Sequence, residues 1–531
     1  MSRLKNFSRN LTASYLQLAV NVVYSLASIP LILHWLPRAE FGMWAVLLQL
    51  MSYIANADLG MTSALARLLV DYKDKRGDGQ YGSLIQTAFL VSLVQAGIIV
   101  LATFFLSPLL ATLMKIQPEY HSTFVLLMRV QGLIDAFSYV IRPLGLMLYA
   151  HQRMDIQAYN EMTVLLTGLG LLVLFLSHGG GIYSFLYANA LTALIGPIFM
   201  FWNCRRLHVL PQTGEWGRAS WKIFQEIFNY GKDVFLLGLG MQLQIASQTI
   251  IVARSLGLEA AAAWSVGTKM FSLVVPLMCR PYGAALPGLY EMLARGEIER
   301  LKNRFRAIVL LTASLGAFLG GSFILCNSLF VQIWLNGKIA WSPWNDVLLG
   351  LWLFLLSMQT THSCFVSVTK QIGGMRYIFF GEGCTFFILA LLLGGHWGGT
   401  GDDYTVCYHL FHCHWSLPGM VLVSILCTLA FTYQYSLRRS RDYFHGPLEE
   451  FAIEWVRPSL KLAAALALVV PAIWFTTASL PVVWRLVARA SLDGLIGGFL
   501  FLRIGLPAAL VQEAASRLPK PAARLLQLIV R

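Results

Sequence analysis

Residues 36–46 read LPRAEFGMWAV, and residues 256–266 read LGLEAAAAWSV. The two stretches share their first Leu, a Trp in ninth place and a Val in eleventh, at an offset of 220 residues. The same offset pairs Tyr15 with Phe235, Ala64 with Ala284 and Asp71 with Glu291. Each stretch joins two long apolar runs, 11–35 with 42–66 and 229–253 with 261–289. A helix needs roughly 20 mostly apolar residues to cross a bilayer, so each stretch is the turn of a membrane hairpin. The remaining runs of this kind are 84–112, 121–149, 160–177, 183–203, 307–333, 346–368, 377–394, 415–436, 459–478 and 494–511, giving fourteen spans. The matching hairpins lie six spans apart, an even number, so the two halves share one orientation. That is a parallel repeat about an axis along the membrane normal, the symmetry that frames a central cavity in transporters that rock between two open states. Chance similarity between apolar hairpins is the competing reading. The repeat divides the chain into an N-terminal lobe 1–215, a C-terminal lobe 216–436, and a final helix pair with its tail, 437–531.

Composition excludes the other classes. Apolar residues make up 57% of the chain and charged residues 12%, against about 45–50% and about 25% in soluble domains. Neither a soluble enzyme nor a disordered chain fits. The formal charge of +14 comes from 40 Lys and Arg against 26 Asp and Glu. The basic residues lie in short scattered groups, which points away from nucleic acid and toward a record of topology. With fourteen spans, 29 of the 40 fall on the side of the two termini. The opposite loops hold only Arg38, Lys115, Arg254, Lys338, Arg485 and Arg489. Basic residues stay on the cytoplasmic side, so both termini are expected there. The first span is expected to be retained, because Arg3, Lys5 and Arg9 precede an apolar segment without a small-residue cleavage site. The connections 204–228, 395–414 and 437–458 are the longest, and none reaches the roughly 50 residues of an independent domain. Cys204, Cys279, Cys326, Cys364, Cys384 and Cys427 lie in or beside apolar runs, where Cys behaves as a small hydrophobe. Only Cys407 and Cys413 look loop-borne.

Particular residues carry a family resemblance. Asn10-Leu11 opens the first span and Pro30 sits near its end; Phe41-Gly42 with Trp44 opens the second. Asp58-Leu59-Gly60 follows, then Ala64 and Arg67. After the fourth span comes AHQRMD at 150–155, with Asn160 beyond it, and Gly179 to Gly181 link spans five and six. This pattern resembles the O-antigen and polysaccharide flippases of the multidrug/oligosaccharidyl-lipid/polysaccharide (MOP) exporter superfamily. It is clear over 1–200, thinner over 220–390 and lost around 396–414; Pro37 stands where the family commonly has Gly. The resemblance implies an all-α polytopic membrane protein of about fourteen helices, two six-helix lobes plus a final pair. It implies a non-enzymatic flippase of the bacterial inner membrane, without cofactor. Such a protein moves undecaprenyl-pyrophosphate-linked oligosaccharide from the cytoplasmic to the periplasmic leaflet, with membrane lipids around it and glycan polymerases as partners.

A charged side chain at mid-bilayer costs about 2.5–3.5 kcal/mol or more, which makes each one a site candidate. The eighth span carries Lys269 and Arg280, about 20° apart around the helix and about 16 Å apart along it; Ser265, Ser272 and Pro276 share that face. The fourth span carries Asp135 and Arg142 on one face, with Arg129 roughly opposite Arg142. The second carries Asp58 beside Asn56. Gln17, Asn21, Ser25 and Ser28 form a helical stripe on the first span, and the seventh supplies Gln244 and Gln248. A pyrophosphate calls for Arg and Lys, and glycan hydroxyls for Asn, Gln and Ser. The expected substrate-binding set is therefore Arg142, Lys269, Arg280, Gln17, Asn21, Ser25, Gln244 and Gln248. Asp58 and Asp135 are candidates for a coupling ion, H+ or Na+, with Glu382 the only other acid in or beside a span given any coupling potential. Structural alternatives stand beside each. Arg129 and Arg503 snorkel to the interface; Arg280 pairs with Asp58 or Asp135; Asp58 caps or ends its helix with Gly60; the polar stripe is packing glue.

Other motifs carry less. The segment 396–414 holds His396, Cys407, His409, His412, Cys413 and His414, a metal-like composition without the paired spacing of a zinc site. Asp402-Asp403 reads as a solvated turn. No phosphate-binding Gly-rich loop and no nucleophile elbow is present, so any driving force comes from an ion gradient, the membrane potential or mass action. An ion-coupled multidrug or small-solute antiporter is the first alternative, disfavoured by the net basic intramembrane charge. A membrane polysaccharide polymerase or ligase is the second, disfavoured by an external loop of about 20 residues without Arg. A scaffold for glycan-assembly partners is the third.

Overall fold

The computed structural model describes residues 3–73, 75–76, 78–369, 372–394, 406–408, 413–415 and 417–507. Packing divides the chain into two compact units, Met1–Ala262 and Ala263–Arg531. Among the described residues, twelve helices are long and apolar enough to cross a membrane.

In the first unit, α1 (Arg3–Trp35) ends just before Pro37, whose φ of −59° and ψ of 152° turn the chain into α2 (Arg38–Ile54). The second span was expected as one helix over 42–66, and the structure breaks it. A single 3-10 turn, Ala55–Asp58, follows α2, and α3 (Met61–Tyr72) starts afresh. Leu59 and Gly60 between them have φ of +49° and +71°, values that no right-handed helix accommodates. The break is also a point of contact. A Cβ on Gly60 would lie 2.2 Å from the backbone oxygen of Gly231, so only glycine lets the two backbones meet. Next come α4 (Gln80–Leu113), α5 (Pro118–Ala150), α6 (Met154–Ser177) and α7 (Ser184–Arg206). Helix α8 (Trp221–Ile245), which carries Gly231, runs on into α9 (Ser247–Leu256), and α10 (Leu258–Gly267) reaches the boundary between units. Apolar faces of α3, α4 and α5 close over Tyr81, Leu84, Ile85, Leu69 and Met147, all fully buried. The motif at 150–155 is a turn fixed by charge. Gln152 has a φ of +59°, and the buried Asp155 accepts from Arg153 Nε and Nη2 at 3.0 and 3.1 Å and forms an ion pair with Arg9, whose Nε lies 2.9 Å away.

In the second unit, α11 (Lys269–Ala294), α12 (Ile298–Trp334) and α13 (Pro343–Val368) precede α14 (Ile372–Gly394). Helices α12 and α13 cross at Gly320 and Gly350, where a Cβ on either would meet the other's carbonyl oxygen at 2.5 or 2.7 Å. Small residues at a membrane-helix crossing let backbones approach where no solvent drives association. An aromatic cluster closes one end: Phe305 stacks on Phe365 at 4.2 Å and meets Trp455 edge-on, and Phe365 stacks on Phe444 at 5.1 Å. The expected loop 395–414 contains two short antiparallel strands, Val406–Tyr408 and Cys413–Trp415, with Cys407 opposite His414. His396, Asp402, Asp403, His409 and His412 lie outside the described residues, as does the basic tail from 508. Helix α15 (Leu417–Thr428) continues through a π turn into α16 (Gln434–Phe444), and α17 (Arg457–Thr476) leads to α18 (Val482–Leu492). Helix α18 continues in π turns to Gly505. The helix at the expected fourteenth span therefore begins a dozen residues before 494, and Arg485 and Arg489, expected in a loop, are helical; neither this helix nor the broken second span is among the twelve, which is why they fall short of the fourteen expected. Four charges within 482–505 hide this helix from a hydropathy reading.

Candidate functional site

The break in the second span positions the first side chain of the site. Asp58 ends the 3-10 turn, and its Oδ2 accepts the Thr62 backbone N–H at 3.2 Å while Oδ1 accepts the Thr62 hydroxyl at 2.5 Å. Asp58 therefore caps α3, as helix-initiating carboxylates do. Two side chains hold it there, Gln95 and Arg142. Gln95 Nε2 donates to its backbone oxygen at 3.0 Å, Arg142 Nη1 reaches Oδ1 at 3.2 Å, and the same Nη1 donates to the Thr62 hydroxyl at 2.7 Å. Tyr139, one turn before Arg142 on α5, donates to Ala55 O at 2.7 Å, and the guanidinium lies 4.1 Å over its ring. Helix α5 thus locks the break from its side with two successive side chains.

Arg142 also lines a cavity of about 590 Å³ between α3, α5, α6 and α7, within the range of small-molecule sites. Its polar wall includes Gln131, Asp135, Ser138, Gln157, Asn160 and Asn189. These side chains are wired together: Asn189 Nδ2 donates to Gln131 Oε1 at 3.0 Å, and Gln131 Nε2 to Asp135 Oδ1 at 2.8 Å. Asn160 Oδ1 is buried and accepts no hydrogen bond among the described residues. The cavity thus offers one guanidinium, one carboxylate and several amides.

The expected residues divide as follows. Arg142 and Asp135 share the cavity, as their common face on α5 requires, and Asp58 borders it through Arg142 and Thr62. Gln17, Asn21, Ser25, Gln244 and Gln248 are not among the cavity's lining. Gln17 instead donates to Glu161 Oε2, tying α1 to α6; Ser25 and Gln248 are buried and Asn21 half-buried. Lys269 opens α11 half-buried and Arg280 is exposed midway along it, both in the second unit. Arg129 packs away from the cavity, donating to Ser107 Oγ and Phe104 O at 3.2 Å each. Arg503 is exposed. Sequence reasoning passed over Gln131, Ser138, Gln157, Asn160, Asn189 and the acid Glu161. A signal existed for part of this set: Gln131, Asp135, Ser138 and Arg142 recur at helical spacing along one face of α5. Among the described residues no group of three or more His, Cys, Asp or Glu side chains could hold a metal ion.

Residues 4–292 match the family of polysaccharide biosynthesis proteins, more than half of the 531. The chain belongs to this family. No curated protein sequence matches it. Solved structures show the fold. The lipid II flippase MurJ in an inward closed conformation aligns with a TM-score of 0.64 at 12% identity, covering 93% of this chain and 98% of that one. An inward-facing multidrug resistance MATE transporter of the MOP superfamily gives 0.62 at 13% identity, covering 79% and 94%. A MOP superfamily transporter from Pyrococcus furiosus, described by a binding pocket of reverse polarity, gives 0.54 at 14%, covering 85% and 96%. The protein is therefore an all-α, multi-pass membrane protein with the MOP fold.

Proposed function

We propose that the protein is a flippase that carries undecaprenyl-pyrophosphate-linked oligosaccharide from the cytoplasmic to the periplasmic leaflet of the bacterial inner membrane by alternating access. The observation that carries this reading is the cavity in which Arg142 faces a wall of amides and hydroxyls while bound to Asp58 at the broken span. Amides and hydroxyls suit a glycan, and a guanidinium suits a pyrophosphate. The same Nη1 that holds Asp58 and Thr62 is the group a phosphate oxygen would draw away. Cargo binding would then release the cap of α3 and loosen the hinge at 55–60, where α3 meets α8 through Gly60 and Gly231. In this reading the lobes 1–215 and 216–436 are the moving bodies, and both termini are cytoplasmic. Lys269 and Arg280 add cationic positions on α11, and Gln17, Asn21, Ser25, Gln244 and Gln248 further polar ones. Asp58 and Asp135 are the groups through which H+ or Na+ would couple, and glycan polymerases would receive the product.

The test is the leaflet distribution of the lipid-linked oligosaccharide in cells. Deletion should leave it accumulated on the cytoplasmic side, and neutralising Arg142, Lys269 and Arg280 together should do the same while membrane insertion stays normal. Normal export in the triple variant would refute the site. A second reading has its own observation. Asp135 lines the cavity with Gln131 as its hydrogen-bond donor and without an ion pair among the described residues, which also suits an ion-coupled small-solute antiporter. Solute-dependent proton or sodium flux in vesicles, with unchanged surface glycan after deletion, would favour it.

A further inference from the structure

A second polar cavity, of about 430 Å³, lies in the second unit, between the end of α12, the loop that follows it and the turn joining α17 to α18. Arg485 and Arg489, one helical turn apart on α18, line it together with Trp474, Trp341, Ser328 and Gln332. Arg489 is 2% exposed. Its Nε donates to Thr477 Oγ1 at 3.0 Å, Nη1 to Leu325 O at 3.2 Å and Nη2 to Trp474 O at 3.3 Å, and the guanidinium lies 3.9 Å over the Trp474 ring. Arg485 directs Nε and Nη2 onto Leu480 O at 3.1 and 2.8 Å. Trp341 is held in the wall by its indole N–H, which donates to Asp346 Oδ1 at 2.7 Å.

Every hydrogen-bond partner of the two guanidinium groups is a neutral oxygen. These oxygens orient the cations without neutralising them, and neither Arg forms an ion pair among the described residues. Asp493, one turn beyond Arg489, is turned to the Ser322 hydroxyl. A buried cation beside a half-buried one of the same sign is costly in a membrane protein unless an anion joins them. The charge pattern of the sequence points the same way. On the expected topology few basic residues lie away from the termini, and Arg485 and Arg489, at the start of α18 on that side, line this cavity. A third, Lys338, sits between the lining residues Gly337 and Ile339. Tryptophans in such a wall belong to the membrane–water boundary. Beside Arg485, Val483, Trp484 and Val487 are 57%, 66% and 49% exposed, an apolar surface next to the charged mouth.

We propose that this pocket binds the phosphate of an anionic lipid headgroup in the leaflet away from the termini, with Arg485 and Arg489 on the phosphate oxygens and the acyl chains along the exposed face of α18. The proposal stands apart from the cargo cavity and from the flippase reading. The test uses the full-length protein in phosphatidylcholine nanodiscs supplemented with phosphatidylglycerol, with retained lipid counted by native mass spectrometry. Wild type should retain phosphatidylglycerol about tenfold more tightly than phosphatidylcholine, a difference of about 1.4 kcal/mol. Arg485→Gln should abolish that preference, and Gln332→Trp, which fills the pocket without touching the charges, should abolish it too. An arm with excess inorganic phosphate separates the sources: displacement of the lipid shows that the free ion alone satisfies the site, and retention shows that the whole headgroup is recognised. Equal retention of phosphatidylglycerol by wild type and both folded variants would overturn the proposal.

Discussion

Replacing Arg142 by Gln removes the cation that pairs with Asp58 at the break in the second span. At 3.2 Å and an effective dielectric of about 20, the gross attraction is about 5 kcal/mol. Much of it is offset. The Arg142 side chain is 36% exposed and that of Asp58 17%, between the surface pairs worth about 0–1 kcal/mol and the buried ones that cost about 3–5 kcal/mol to break. The carboxylate also keeps its bonds from Thr62 and Gln95. A net loss of about 1–2 kcal/mol is expected. Asp58→Asn should cost a similar amount, since it weakens the cap of α3 as well as the pair. The decisive quantity is their coupling, because residues in one network fail to add. In a reversible unfolding assay in mixed detergent micelles, the double variant should be about 1 kcal/mol more stable than the two single losses predict. Strict additivity would refute the claim that these side chains act as one lock. Arg142→Lys separates charge from shape: it keeps the cation but cannot bridge Asp58 and Thr62 with one planar group, so it should recover only part of the loss.

Three further outcomes follow from the packing. Gly60→Ala places a Cβ against Gly231 O at a φ of +71° and should cost at least about 2 kcal/mol from strain and overlap together; Gly97→Ala, with nothing within 4 Å of the new carbon, should cost nothing, and equal losses in a thermal melt would contradict the crossing. Asp155→Asn strips the counter-ion from Arg9 and Arg153 at a nearly buried position and should lower stability by about 3 kcal/mol, read as a reduced yield of monodisperse protein; an unchanged yield and melt would exclude a structural role for the 150–155 motif. Glu450, in the connection before α17, is held below the usual carboxylate range chiefly by the Lys302 ammonium at 2.8 Å. Its contribution is therefore present above the ordinary value of 4.5 and lost as pH falls through the lowered one, so hydrogen-exchange protection over 446–456, corrected for the intrinsic pH dependence of exchange, should fall in acid and Glu450→Gln should remove that dependence.

How much of this was legible in the sequence depends on distance along the chain. Hydropathy locates the long helices well, because a run of twenty apolar residues has one low-energy disposition in a bilayer. It fails where local chemistry overrides the average. The second span reads as one run, yet Leu59-Gly60 turns it, and the reason only Gly serves there is Gly231, far along the chain. The fourteenth span reads late because Arg485, Arg489 and Asp493 depress its hydropathy, although Leu480, Thr477, Leu325, Trp474 and Ser322 give these groups hydrogen-bond partners inside the fold. The same division holds at the site. Asp135 and Arg142 are legible as one face of a helix, and the cap at Asp58 as a local turn. Asn189, Asn160 and Gln157 were not, since single amides on two other helices acquire meaning only when α6 and α7 close the cavity against α5.

The central claim is that the cavity around Arg142 carries a pyrophosphate-linked glycan across the bilayer. Its most direct test is a leaflet assay in proteoliposomes: the purified protein with lipid-linked oligosaccharide, scored by access of a membrane-impermeant sugar-modifying enzyme to the outer leaflet. The wild-type protein should equilibrate the substrate between leaflets and Arg142→Gln should slow this at least about tenfold, equivalent to about 1.4 kcal/mol, with the protein correctly folded. Equilibration by the variant at the wild-type rate, or none by the wild type under an imposed ion gradient and membrane potential, would contradict the account.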